Sequence, residues 1–313
     1  EAYAYWDLAY LYERESFLDS SYAFYYNAYK NFLSLEDSYH AGKMMLNMAI
    51  SQEKARDYVG SENSSFKALK LIPSNKEKDV YAIYNNLAVI YNGLDDFDNA
   101  IESHKRAIAI ASSIQDQVLL ATSFNNIAVA YIENGFYAEA LEYIVKALKI
   151  QDLKNSNTRL YAMVLDNYSY TQFKQGNAED FLKYSLNALR IRDSIGHKSG
   201  IMANKIRLAE YFMGEEDMTK AELYLSSALS MAVTENNSKY ELAALLKLHK
   251  ITRSSKYLDR YIALNNKLIL EERKVRSNFA RIRYEMDTYI QENRNLNERN
   301  IYLTIATLSL LAL

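Results

Sequence analysis

Apolar and small residues recur along the chain with the spacing of one helix face, and the same arrangement returns about every 40 residues. Residues 84–110 form a pattern of two amphipathic helices joined by a tight turn, and residues 124–150 repeat it. The pairs that match at an offset of 40 are Ala88 with Ala128, Tyr91 with Tyr131, Ala100 with Ala140, and Ala107 with Ala147. Such constant spacing indicates a repeat protein.

Two series of small residues extend this repeat over most of the chain. The first helix of each repeat carries Ala9, Ala49, Ala88, Ala128, Ser169 and Ala209. The second helix carries Ala28, Ala68, Ala107, Ala147, Ala188 and Ala228. Both series have successive spacings of 40, 39, 40, 41 and 40 residues, and small side chains let two helices cross closely. We therefore predict hairpins near 2–36, 42–75, 81–114, 121–154, 162–195 and 202–233, with a degenerate seventh at 239–272.

This pattern resembles the tetratricopeptide repeat (TPR) over roughly residues 2–233. The family alternates a bulky residue, a small residue and a tyrosine in its first helix, and its proline after the second helix occurs once, as Pro73. The period departs from the family's usual value of about 34 residues. The resemblance implies an all-α fold: a TPR superhelix (α-solenoid) of six to seven hairpins over residues 1–255, followed by a long C-terminal helix. It also implies a concave groove that binds a peptide or protein.

Asparagine recurs at one position of the first helices, although it is a mediocre residue for a helix interior. The recurring residues are Asn47, Asn86, Asn126 and Asn167, and they are preceded in three cases by Asn85, Asn125 and Asp166. In the TPR family the matching position faces the groove, where an amide can donate to and accept from a peptide backbone. We predict these seven residues as the ligand site. The alternative is that the amides hydrogen-bond between adjacent helices. Candidate aromatic walls for the groove are Tyr3, Trp6, Tyr10, Tyr170 and Phe173.

A long helix without glycine or proline is predicted over residues 256–300. Its second half has apolar residues at alternating steps of three and four, with asparagine at two positions of that register. The predicted seam consists of Val275, Phe279, Ile282, Met286, Tyr289, Asn293 and Leu296. A seam of this kind favours a parallel coiled-coil homodimer. The alternative is a capping helix packed on the last repeat.

The residues after Asn300 change abruptly to IYLTIATLSLLAL, which carries no charge. A membrane-spanning helix takes about 20 apolar residues, so we expect 301–313 to be the start of a truncated transmembrane helix. The alternative is a buried terminal helix.

The string RSNFARIRYEMDTYIQENRNL at 276–296, followed by this apolar run, resembles the juxtamembrane segment of bacterial membrane-bound TPR sensor proteins. The resemblance implies a periplasmic array joined through the bacterial inner membrane to a histidine kinase or, in related proteins, a helix-turn-helix regulator. The expected function is therefore the sensor region of a signal-transduction protein. The alternative is a soluble cytoplasmic TPR scaffold that binds partner proteins.

Composition changes this picture little. The chain has 37 basic and 39 acidic residues, so charge gives no reason to expect nucleic-acid binding. Cysteine is absent, and the four histidines are scattered over different repeats, so we expect no metal or cofactor. No catalytic arrangement of side chains is present, and we expect this chain not to be an enzyme.

Overall fold

The structure, a computed structural model, describes residues 1–178 and 180–311, with side chains through residue 309. These residues form fifteen helices and no strand, which confirms the predicted all-α fold class of hairpins followed by a long helix. The helices are α1 Ala2–Arg14, α2 Leu18–Ser34, α3 Ser38–Lys54, α4 Tyr58–Leu71, α5 Glu77–Gly93, α6 Phe97–Ser113, α7 Gln117–Glu133, α8 Tyr137–Leu148, α9 Leu153–Ser156, α10 Thr158–Lys174, α11 Phe181–Ser194, α12 Lys198–Gly214, α13 Met218–Thr234, α14 Ser238–Thr252 and α15 Ser255–Leu311.

Short turns join the helices, and several of them share an Asp or Asn N-cap preceded by a residue with a positive φ. Seven helices begin after an Asp or Asn whose side chain accepts a hydrogen bond from a backbone N–H of the first turn, as N-caps do. These caps are Asp37, Asp57, Asp96, Asp116, Asn157, Asp217 and Asn237. The residue before most of them has a positive φ, for example 57° at Asp95, and this reverses the chain in a single residue.

The two series of small residues mark the helix crossings. All twelve, from Ala9 to Ala209 in the first helices and from Ala28 to Ala228 in the second, have no exposed surface. A larger side chain at any of them would force the paired helices apart, because protein interiors are packed as densely as crystals. The repeat read from the sequence is therefore the packing repeat of the fold.

The helices belong to two compact units. Unit 2 comprises Ser74–Leu270 and contains α5 to α14 with the start of α15. Its core is mostly aliphatic, with Ile127, Ile144, Val164 and Leu208 fully buried around the alanine crossings.

Unit 1 comprises Glu1–Pro73 together with Glu271–Leu313, so it contains α1 to α4 and the later part of α15. Its core is richer in aromatic residues and methionine, including Tyr22, Tyr25, Phe32 and Met44. The predicted division into segments 1–255, 256–300 and 301–313 stays a prediction.

The later part of α15 packs within unit 1. Phe279, Ile282 and Met286 of the predicted dimer seam are buried, and the ring of Phe279 lies 4.5 Å from that of Tyr22 in α2. Val275, Tyr289 and Asn293 are half-buried, and Leu296 is exposed. In this structure the central seam residues therefore contact their own chain, and the dimer role of the seam stays a prediction.

The end of α15 is helical and exposed through residue 309. Within the described part of the chain, no helix combines the length and the apolar character needed to cross a bilayer. The predicted membrane segment 301–313 lies only partly in that part, since residues 312–313 fall outside the described residues.

Candidate functional site

The predicted asparagine residues of unit 2 hydrogen-bond to one another across adjacent first helices. Asn126 of α7 donates from Nδ2 to Oδ1 of Asn85 in α5 at 2.8 Å. Asn167 of α10 donates in the same way to Oδ1 of Asn125 at 2.8 Å. The amides therefore link α5, α7 and α10 in sequence, at the point where the repeat places them side by side.

Asp166 extends this network into the next repeat. Its carboxylate is fully buried and accepts hydrogen bonds from Arg192 at 3.0 Å and Arg207 at 2.7 Å. Asn204 donates to its other oxygen at 2.9 Å, and Arg207 also donates to Oδ1 of Asn167 at 2.9 Å. A buried carboxylate is tolerated only when charged and polar partners surround it in this way.

The predicted ligand residues thus fall into two groups. Asn86, Asn125, Asp166 and Asn167 are buried, and the last three are bonded within the network, which favours the interhelical role for them. Asn85 and Asn126 bond to each other but are half-exposed. Asn47 is half-buried in unit 1. The ligand-binding role stays a prediction for the residues that solvent reaches.

A cleft of about 500 Å³ lies beside this network in unit 2. It crosses the first helices of the last repeats, α7, α10, α12 and α14, with one residue from α8. Its lining consists of Ile132, Glu133, Tyr137, Tyr170, Ala203, Ile206, Arg207, Glu210, Lys239, Tyr240, Ala243 and Lys247. Three tyrosine rings and aliphatic side chains provide apolar walls, and charged groups stand between them. This is the usual composition of a binding pocket.

Arg207 joins the cleft to the buried network. Its guanidinium lies 4.5 Å above the ring of Tyr170 while it donates to Asp166. Burial, together with the carboxylate of Glu210, raises the pKa of the Tyr170 phenol, so this group stays neutral and hydrogen-bonds to Glu210. Glu210 in turn pairs with Lys247 at 2.5 Å. Arg207 and Lys247 are therefore held in place in the cleft by Asp166 and Glu210.

The predicted aromatic walls are divided between the two units. Tyr170 does line the cleft, whereas Phe173 packs in the core against Phe181 at 5.2 Å. Tyr3 and Trp6 stack on each other within unit 1, with ring centroids 6.1 Å apart.

Two residues of the cleft were missed although the repeat spacing points to them. Arg207 lies two residues before the small crossing residue Ala209, which is the position that Asn126 and Asn167 occupy in their repeats. Forty residues later the same position is Lys247. A series followed by position instead of by residue type would have continued from the asparagines to these two cations.

Comparison with known proteins agrees with the repeat geometry. A family model described as tetratricopeptide repeat matches residues 79–152, which cover α5 to α8. No protein with a curated description matches the chain.

Several solved structures share the fold. The apo form of RapI is similar with a TM-score of 0.67 and 22% identity, over 86% of this chain and 98% of that one. A Rap protein in complex with Competence and Sporulation Factor has a TM-score of 0.64 and 15% identity, over 87% of this chain and 76% of that one. The Rap conjugation gene regulator of the plasmid pLS20, in complex with the Phr* peptide, has a TM-score of 0.60 and 14% identity, over 85% and 74%.

At these identities the structural likeness concerns the fold alone. It agrees with the family match in the middle of the chain and with the two buried series of small residues that run through six repeats. Residues 79–152 therefore match the tetratricopeptide repeat family, and the chain has the helical-repeat fold of tetratricopeptide repeat proteins.

Proposed function

We propose that the chain is a peptide-binding module of the TPR type, and that an extended peptide or protein segment binds in the unit 2 cleft. The observation that carries this proposal is the cleft itself, with about 500 Å³ of space between tyrosine rings and ordered cations. Two proteins with the same fold were solved with bound factors, one of them the Phr* peptide. Those complexes support a peptide as the ligand class.

The groups in the cleft suit a peptide that carries a carboxylate. Arg207, Lys239 and Lys247 outnumber Glu133 and Glu210 among the residues that line the cleft. A carboxylate can share Arg207 or Lys247 with their present partners, because each cation has several N–H donors. Apolar side chains of the peptide would pack on the three tyrosine rings. The proposed role of the chain is therefore to bind a peptide. We propose that this binding serves a signalling sensor.

The test begins with selection of ligands. A display library of random 12-residue peptides is panned against the full chain, and the best peptide is labelled for fluorescence polarisation. Ala203→Trp fills the cleft from α12 and is expected to weaken the selected peptide at least tenfold. The matched control is Ala109→Trp, on an exposed position of α6, which should bind as the parent does.

A second pair of variants tests the charge. Lys247→Ala should weaken the peptide several-fold, because the ligand carboxylate loses a partner, whereas Lys105→Ala on an exposed face of α6 should not. Selected peptides that bind equally well to Ala203→Trp and Lys247→Ala would remove the cleft as the ligand site.

The apolar end of α15 favours a second candidate, attachment to a membrane as part of a bacterial sensor. Ile301, Leu303, Ile305 and Leu308 are all exposed; Ile301, Ile305 and Leu308 share one face of the helix and Leu303 lies on the opposite one. The full chain would then sediment with phosphatidylglycerol–phosphatidylethanolamine vesicles, and Leu303→Glu with Ile305→Glu would abolish it. A chain that stays in the supernatant with or without these substitutions would exclude this candidate.

A further inference from the structure

The second helices of the first two repeats carry a surface that the other repeats lack. In α2, Tyr26 is buried, whereas the residues at the same repeat position in α6, α8 and α11 are the exposed Lys105, the half-buried Val145 and the exposed Leu186. In α4, Gly60 is buried, whereas the equivalent position in α6 is the exposed Asn99 and in α8 the exposed Glu139. These residues therefore serve something other than the hairpin repeat.

That surface is covered by the later part of α15. Its central contact is Tyr22 against Phe279, and Asp19 and Asp57 flank the contact. Asp57 accepts a hydrogen bond from Arg283 at 2.9 Å, and Asp19 accepts one from Asn278 at 3.2 Å. We call Asp19, Tyr22, Tyr26, Asp57 and Gly60 the docking surface.

Gly60 shows how closely the two helices fit. A Cβ atom at this position would lie 1.8 Å from Nη1 of Arg283, 2.2 Å from Oδ2 of Asp57 and 2.4 Å from Nε2 of Gln52, so any other residue would disturb the ion pair between Arg283 and Asp57. The glycine costs helix stability, because a helix interior prefers alanine by about 1 kcal/mol. The arginine from α15 is the group that would come closest to an added side chain, and Asp57 and Gln52 fill the rest of the space.

The face of α15 that docks is also the heptad seam. Burial covers Phe279, Ile282 and Met286 and declines after Tyr289, where a groove of about 530 Å³ opens between the end of α2 and α15. The seam continues in the same register beyond this point, and there Leu296 and Leu303 are 53% and 55% exposed. The first half of the seam is thus buried, and its second half is exposed to solvent.

We propose that this seam has two mutually exclusive partners: the docking surface of its own chain, and the same seam of a second copy of the chain. The second copy is the occupant that fits the open half, because the spacing is that of a coiled coil and Asn293 and Asn300 lie at seam positions where amides can pair across a two-fold axis. Docking hides the apolar centre of the seam, so the docked chain is a monomer. Release of α15 exposes the whole seam and allows pairing. This inference does not depend on the unit 2 cleft.

The docked state can be trapped because the chain has no cysteine. Asp19→Cys with Asn278→Cys places two thiols where side chains now contact each other. Treatment of the dilute full chain with a short bismaleimide should link them within one chain, seen as a faster band on a denaturing gel. Links that form only between chains at low concentration would overturn the docked monomer.

The exchange is tested from the array side, so that α15 keeps its own sequence. Gly60→Ala should displace Arg283 and lower the dimer dissociation constant in sedimentation equilibrium at least tenfold. Asp57→Asn, which keeps an N-cap amide but removes the charge, should act in the same direction and guards against a folding defect of the first variant. Gly214→Ala is the matched control, since its Cβ would make an ordinary 3.5 Å contact with Phe173.

The cross-link and the Gly60→Ala substitution are then combined in one chain. Gly60→Ala with the linked Asp19→Cys/Asn278→Cys pair should return to the monomer. A dimer dissociation constant within twofold of the parent in both Gly60→Ala and Asp57→Asn would overturn the exchange, and so would a linked chain that dimerises as well as the unlinked one.

Discussion

The two units are built from the same helical hairpin, but a helix of the chain covers one face of the hairpins in unit 1, whereas a cleft remains open in unit 2. In unit 1 the outer faces of α2 and α4 hold a helix of the chain itself, with Phe279 completely buried. In unit 2 the first helices of the last repeats leave a cleft, and a polar network around Asp166 holds them in register. The difference shows that the repeat fixes only the crossing residues. The residues between crossings determine whether a face is filled from within or left open.

The largest expected effect falls on the polar network of unit 2. Asp166→Ala would leave the buried Arg192 without its charged partner, and breaking such a pair costs about 3–5 kcal/mol of unfolding free energy. Urea unfolding followed by circular dichroism measures the loss, with Asp98→Ala on an exposed position as the control. A loss below about 1 kcal/mol would mean that the network does not hold unit 2 together.

The matching experiment in unit 1 removes one buried side chain from the docked part of α15. Phe279→Ala removes a fully buried ring and should cost about 3–4 kcal/mol, somewhat less than the worst case because α15 can readjust on its surface. Tyr284→Ala, on the exposed face of the same helix, should change stability by less than about 0.5 kcal/mol. Equal effects of the two substitutions would show that α15 is not docked in solution.

A pH effect is expected in unit 2 at His104. The side chain is buried, neither ring nitrogen has a hydrogen-bond partner within the described residues, and burial lowers its pKa to about 4. The unfolded chain takes up a proton below about pH 6.5 while the folded chain does not, so stability is complete above that pH and falls as the pH drops towards 4. The loss is about 3 kcal/mol, from about 1.4 kcal/mol for each pH unit.

The comparison with unit 1 sharpens this prediction. The same repeat position there is Tyr25, whose hydroxyl donates to Glu13 at 2.6 Å, and burial raises the pKa of its phenol. This tyrosine stays neutral over the same range of pH. His104→Leu should therefore remove most of the difference between urea midpoints at pH 7 and pH 4.5, and Tyr25→Phe should leave that difference intact. If the difference between the two urea midpoints persisted in His104→Leu, the pH dependence of stability would come from other groups.

The smallest effect concerns the half-exposed amide pair. Asn126→Ala removes its hydrogen bond to Asn85 and should cost about 1 kcal/mol, because solvent replaces part of the interaction. The same variant tests the predicted ligand role, since a selected peptide that contacts this amide would bind more weakly. Asn266→Ala on an exposed face of α15 is the control for both measurements.

The crossings and caps were open to prediction because they depend on neighbours in sequence. Ala88 and Ala128 lie at crossings that one hairpin defines, and Asp96 caps the helix that follows it. The docking of Phe279 on Tyr22 joins residues far apart in the chain, and a periodic pattern does not state which distant face a helix covers. The visible signal was a departure from the repeat, with Gly60 where later repeats have the exposed polar residues Asn99, Glu139 and Lys220.

Hydrogen–deuterium exchange of the full chain with and without the selected peptide tests the contrast between the units most directly. The account predicts slower exchange in α10, α12 and α14 on addition of the peptide, with α2, α4 and residues 271–290 equally protected in both samples. Protection by the peptide on α2 and α4, with faster exchange of residues 271–290, would contradict it, because the external ligand would then occupy the surface assigned to the chain's own helix.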